Sequence, residues 1–175
     1  GIGAALARHY AGQGAVLGLA ARREGELQQL AAVVRTLGGE AVIYPLDVAD
    51  ASALVAAGKD FVTRFGAPDV VIANAGVSAG TLTEHAEDLQ VFRRIMETNV
   101  MGMVASFAPF IDPMRAANDA GVGRRLVGIA SVAGIRGLPG AEAYSASKAA
   151  VISYLESLRL EMQPFSIRVV TIAPG

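Results

Sequence analysis

The residue pattern predicts an α/β fold, a Rossmann-like doubly wound parallel sheet with helices on both faces. Three observations predict it. Short continuous apolar runs recur at Ala15–Ala21 (AVLGLAA), Ala41–Leu46, Asp69–Ala73 (DVVIA), Leu126–Ala130 and Ser166–Ala173 (SIRVVTIA), as expected for strands buried on both faces. Segments with apolar residues at helical spacing separate the runs, and this alternation with short connections builds parallel βαβ units with right-handed crossovers. The composition, 53% hydrophobic against 18% charged, supplies enough apolar surface to cover a sheet from both sides. At 175 residues the chain reads as a single domain, 1–175.

Each element has local grounds. The chain opens in a helical pattern (Ile2, Leu6, His9, Tyr10) with no strand before it. After the Ala15–Ala21 run, Leu27, Leu30, Val34 and Leu37 form one helix face, stopped by Gly38-Gly39. Asp50 is a plausible N-cap for a helix carrying Leu54, Gly58, Phe61, Val62 and Phe65, which ends at Gly66. A long helical region runs from Ala86 to about Ala117, with a break expected near Pro109 and Pro113. Its stripe is Leu89, Phe92, Met96, Asn99, Met103, so Asn99 falls where an apolar residue belongs and must find partners. The last helix places Tyr144, Lys148, Val151, Leu155, Leu158 and Met162 on one face.

Composition also excludes function classes. No apolar run approaches the ~20 residues of a membrane span, and no signal peptide is visible. A net charge of −1, a pI near 6.1 and dispersed basic residues leave no footprint for nucleic acid. The absence of cysteine is compatible with a cytoplasmic location. His9 and His85 stand far apart without ligand-like neighbours, so no metal site is expected.

The chemistry concentrates between Ser131 and Lys148 (SVAGIRGLPGAEAYSASK). Four residues on a helix rise ~6 Å on the same side, which brings the ammonium of Lys148 beside the phenol of Tyr144. A positive charge at ~5 Å, with an effective dielectric near 20, favours a phenolate by roughly 3 kcal/mol. Burial opposes this, so the charge wins only if the pair stays partly wet or a second cation arrives. Ser131, at a strand end, could donate a hydrogen bond to a substrate oxygen, completing a proton-transfer site for a carbonyl/alcohol couple. The chain holds two lysines against thirteen arginines, and a lysine here suggests that a compact ammonium is needed. On local pattern alone, Tyr144 could equally be packing and Lys148 a surface charge.

Ser131 followed by Tyr144-Ser145-Ala146-Ser147-Lys148 resembles the Ser…Tyr-x-x-x-Lys signature of the short-chain dehydrogenase/reductase family, and the resemblance covers nearly the whole chain. It implies that Tyr144 is the general acid/base, that Ser131 orients and polarises the substrate oxygen, and that Lys148 holds the nicotinamide ribose while assisting the phenol. Asn99, in Thr98-Asn99-Val100, matches the family residue that holds a water linking the lysine to solvent. Gly1-Ile2-Gly3 would be the last three residues of T-G-x-x-x-G-I-G, with Gly3 allowing the cofactor close to the backbone and the helix N-terminus facing its pyrophosphate. Asn74-Ala75-Gly76 matches N-A-G, Asp47-Val48 the adenine contact, and Pro174-Gly175 the pair that borders the nicotinamide.

At the end of the Ala15–Ala21 run an acid would grip the 2′-hydroxyl of NAD, whereas an arginine accommodates the 2′-phosphate of NADP. Ala21 occupies the acid's position and Arg22 follows, so NADP is favoured over NAD. The family's central first strand and its C-terminal substrate-capping segment have no counterpart in residues 1–175, and the natural polypeptide is expected to extend past both ends.

The implied activity is hydride transfer between NADP(H) and a ketone or aldehyde and its alcohol, with the phenol exchanging the proton. An epimerase or dehydratase holding NAD on the same scaffold is one rival, and a non-catalytic NADP(H) sensor is another. The expected partners are a small carbonyl or alcohol substrate and a second copy of the chain, as a homodimer or homotetramer, with neither nucleic acid nor membrane.

Overall fold

The computed structural model of the chain describes residues 1–117 and 123–175. Its elements follow the expected alternation: α1 (Ile2–Ala11), β1 (Val16–Ala21), α2 (Glu24–Thr36), β2 (Glu40–Pro45), α3 (Ala51–Phe65) and β3 (Val70–Ala73). Then come α4 (Asp88–Met96), a π-helical turn (Glu97–Met101), α5 (Gly102–Ala116), β4 (Arg125–Ile129), α6 (Glu142–Met162) and β5 (Arg168–Ile172).

All ladders are parallel. β1 pairs with β2, from Val16 opposite Glu40 to Ala21 opposite Pro45. A second ladder runs β3–β4–β5, with Val70 opposite Arg125 and Arg125 opposite Arg168. Among the described residues the hydrogen-bonded order breaks between β1 and β3. That is where a doubly wound sheet would carry its central strand.

The strands alternate their faces as the pleat requires. Leu17 and Leu19 pack on the cluster of Ala7, Ala11 and Val34 from α1 and α2. Gly18 faces the other way, where a Cβ would lie 2.9 Å from Phe61 of α3. Helices therefore cover β1 from both sides. The larger core joins β3, β4 and β5 to α5 and α6 through Met103, Phe107, Met114, Leu126, Val151, Leu155 and Val169.

Local signals explain the boundaries. Asp50 caps α3 by accepting the amide of Ala53 at 3.0 Å. Gly38 and Gly66, at φ 95° and 81°, take the left-handed conformations that end α2 and α3.

The long helical region departs from expectation in three ways. It starts at Asp88 rather than Ala86, and Leu89 is 64% exposed instead of lying in the stripe. Pro109 and Pro113 lie inside α5 without ending it, and Pro109 packs onto Gly58 of α3, where a Cβ would come within 2.4 Å of it. The irregularity falls instead at the π turn around Asn99. Ile95, Asn99, Met103 and Phe107 are all buried. Four residues overshoot a regular helical turn by about 40°, and the wider π turn absorbs that drift.

Candidate active site

β4 carries the chain to Ile129 and Ala130, and Ser131 then caps a short turn over Val132–Gly134. Ser131 is 9% exposed, and its Oγ accepts the amide of Ala133 at 3.2 Å. Accepting that bond leaves the hydroxyl proton to donate elsewhere.

α6 presents the anticipated stripe. Lys148, Val151, Leu155, Leu158 and Met162 are buried, and Tyr144 is half-buried at the top. Lys148 is 4% exposed; its Nζ donates to the carbonyl of Ile129 at 2.8 Å and lies 5.7 Å from the Tyr144 ring centre. Burial pulls the pKa of this amine below its ordinary 10.5.

Asn99 meets its obligation as a buried amide completely. Its Oδ1 accepts the amide of Val77 at 2.8 Å, and its Nδ2 donates to the Val77 carbonyl and the Ser147 hydroxyl, both at 2.9 Å. The side chain thus binds the loop after β3 to α6 and spends its polar atoms there rather than on Lys148. Asn99 and Lys148 flank Gly76, where a Cβ would lie 3.3 Å from Asn99 Oδ1 and 3.5 Å from Lys148 Nζ.

A cleft of about 250 Å³ opens beside these groups, lined by Ile2, Asn74, Gly76, Val77, Ser78, Ile129, Ala130, Tyr144, Lys148 and Pro174. Gly3 lies against the amide of Asn74, with 2.8 Å to a hypothetical Cβ. The start of α1, the strand-end glycine and the Tyr–Lys pair thus converge on one hollow. Helix amides, glycine surfaces and a buried cation together fit a dinucleotide's phosphate and nicotinamide ends.

The remaining expected positions scatter more widely. Gly1, Ala75 and Gly175 are exposed. Pro174 reaches the cleft wall, and its carbonyl accepts the amide of Val132 at 3.1 Å. Arg22 follows β1 and stands 4.0 Å from Asp47, both side chains about half exposed. The Asp47 carboxylate also accepts the amide of Ala49 at 3.0 Å. Val48 packs on α5, with its carbonyl 3.1 Å from where Gly102 would carry a Cβ. Among the described residues no acidic or histidine cluster could hold a metal.

Two polar residues escaped the sequence reading. Ser147, fully buried, links Asn99 to the Tyr144 carbonyl, to which it donates at 2.7 Å. Its signal was its place inside Tyr-Ser-Ala-Ser-Lys, next to the apolar stripe. Ser145 accepts the amide of Leu138 at 3.1 Å and pins the preceding loop.

A doubly wound parallel domain with a Tyr–Lys pair at its strand ends is, as a class, a Rossmann-type α/β domain. The family model described as short chain dehydrogenase matches residues 1–175, and the chain belongs to that family. Over 179 residues it is 35% identical to 11-beta-hydroxysteroid dehydrogenase A of Sesamum indicum, covering 100% of this chain and 49% of that protein. The chain thus spans about half the length of that relative. Among solved structures, an NAD+-bound xylitol dehydrogenase shares 32% identity at a TM-score of 0.90, over 99% of this chain and 65% of that one. The L-sorbose reductase of Gluconobacter frateurii, solved with NADPH and L-sorbose, shares 28% identity at 0.91, over 100% and 65%.

Proposed function

We propose that the chain is the dinucleotide-binding and catalytic part of an NADP-dependent oxidoreductase that interconverts a ketone or aldehyde with its alcohol. The observation that carries this reading is the burial of the Lys148 ammonium, tied to Ile129 and set beside Tyr144 at a glycine-lined cleft. A buried amine costs stability, and such groups cluster where chemistry uses them.

Bound nicotinamide supplies the hydride chemistry. Ile2, Gly3, Asn74, Gly76, Lys148 and Pro174 hold it. Tyr144 gives its proton to the carbonyl oxygen as charge develops there, and takes it back in the oxidative direction. Ser131 donates a hydrogen bond to the same oxygen. Lys148 offsets the charge left on the phenolic oxygen and stays fixed by Ile129. Asn99 keeps Val77 and α6 in register around it.

Arg22 carries the NADP preference. Its guanidinium is open to solvent at the end of β1, suited to a 2′-phosphate. A homodimer or homotetramer is supported by apolar side chains left exposed on the helices, Leu89, Met101 and Leu160. Among the described residues no helix is long and apolar enough to cross a membrane. The cysteine-free composition supports a cytoplasmic site of action.

The test follows NADPH absorbance against a panel of ketones and aldehydes. The wild-type protein turns over, and Tyr144→Phe loses at least ~100-fold in kcat while binding NADPH within about two-fold. A Phe variant with wild-type turnover would refute the assignment.

A further inference from the structure

Thr81 has no part in the proton-transfer scheme, yet of the described residues 74–94 it alone reaches core burial, at 4% exposure, until Ile95 follows. Its neighbours Gly80 and Leu82 are exposed, so the segment as a whole is not buried. What covers Thr81 is the start of α6. Its amide donates to the Gly140 carbonyl at 3.1 Å, and it forms a parallel bridge with Ala141. Its hydroxyl donates to Glu142 Oε2 at 3.0 Å and accepts the amide of Ala143 at 3.3 Å.

That last bond is the one an N-cap side chain ordinarily makes. Ala141, which holds the cap position of α6, has no group to make it. The cap comes instead from a loop 62 residues away in sequence. The next residue after Ala143 is Tyr144.

The other end of the same loop is also fastened, because Asn99 takes both the amide and the carbonyl of Val77. Ser78, between the two fastenings, lines the cleft with Tyr144 and Lys148. Residues 77–81 therefore form a strap from the π turn to the first turn of α6, along the wall of the cleft.

We propose that Thr81 is a positioning residue, whose hydroxyl locks the first turn of α6 and so aims the Tyr144 phenol at the substrate oxygen. The proposal rests on the oxidoreductase reading above. A helix's first turn frays when its amides lack partners, and a misplaced acid loses rate steeply.

The test compares Thr81→Ala, Thr81→Val and Thr81→Ser in the full-length protein, with NADPH and ethyl acetoacetate or diacetyl as probe carbonyls. The Ala and Val variants should lose about ten-fold or more in kcat, with the NADPH Kd within about two-fold. Serine, which keeps the hydroxyl, should restore kcat to within about two-fold. Val is isosteric and guards against an Ala variant that fails to fold. Independently of turnover, amide exchange at Ala143, Tyr144 and Ser145 should quicken about ten-fold in the Ala and Val variants and not in the Ser variant.

Unchanged kcat in the folded Ala or Val variant would overturn the proposal. So would equal losses in all three, or a rise in carbonyl KM with kcat intact, which would make Thr81 a substrate contact. A wild-type protein that binds NADPH but reduces neither probe would count against the oxidoreductase reading itself. The exchange comparison would still decide whether Thr81 anchors the turn.

Discussion

Gly134 and Lys148 meet backbone to backbone: a Cβ at Gly134 would sit 2.6 Å from both the carbonyl carbon and the carbonyl oxygen of Lys148. The turn after Ser131 is thereby pressed onto the helix that carries the amine and the phenol. Gly134→Ala must push α6 away or distort the turn, at a cost of about 1–3 kcal/mol. The expected result is a Tm lower by several degrees together with a kcat loss larger than the loss of NADPH affinity. A variant with wild-type Tm and kcat would show that the contact yields freely.

Arg22 faces the cofactor question with Asp47 at 4.0 Å. A charge-assisted bond to a 2′-phosphate contributes ~1.5–3 kcal/mol, or roughly 10- to 100-fold in affinity. Arg22→Ala should raise KM for NADPH by that factor and change KM for NADH by less than about three-fold. Steady-state kinetics with both cofactors decides it, and a wild-type preference for NADH would reverse the assignment.

The buried Lys148 makes stability depend on pH. Its folded pKa lies below the ordinary 10.5 because burial disfavours the ammonium. Between the folded value and 10.5 the unfolded chain holds more protons, so this group's contribution to stability rises with pH across that window. Lys148→Met removes the dependence. Measured from neutral pH up to 10.5, the wild-type Tm should therefore gain on that of the Met variant, while the variant has lost turnover throughout. A gap that narrows or stays level would contradict the burial argument.

Tyr44 offers a test remote from the cleft. Its hydroxyl donates to Asp60 Oδ2 at 2.7 Å, and burial, then Asp60, pushes its pKa up to about 12. The fold favours the neutral phenol, so the stabilisation is complete below 10 and lost as pH rises through about 12. Tyr44→Phe should cost about 1 kcal/mol by urea titration below that window. The difference from wild type should vanish across it, and a constant difference would exclude the Asp60 bond as its source.

Much of this was legible before any coordinates. The stripe from Tyr144 to Met162 needed only a steady helical period, and α6 keeps one. Asp50 announced its cap through residue type and position. The alignment of Arg22 with Asp47 follows from parallel register, since Ala21 stands opposite Pro45.

The failures share a cause. Counting a constant period through the region after β3 put Leu89 in the core and Ile95 out of it, because the π turn at Asn99 changes the period midway. Proline signals pointed to a break, but Pro109 is accommodated where Gly58 makes room on the facing helix. The partners of Asn99 and Thr81 lie 48 and 61 residues away. Spacing within one element carries no trace of such pairs.

The widened turn at Asn99 also makes the helical region intolerant of deletion. Each residue of a regular helix advances the chain by about 100°, so removing Thr98 would swing everything downstream by roughly that angle. Phe107 would then be carried out of its seat against β3 and β4, and Pro109 off the notch at Gly58. One surplus residue lets a single rod of helix serve as both a polar latch and a hydrophobic wall.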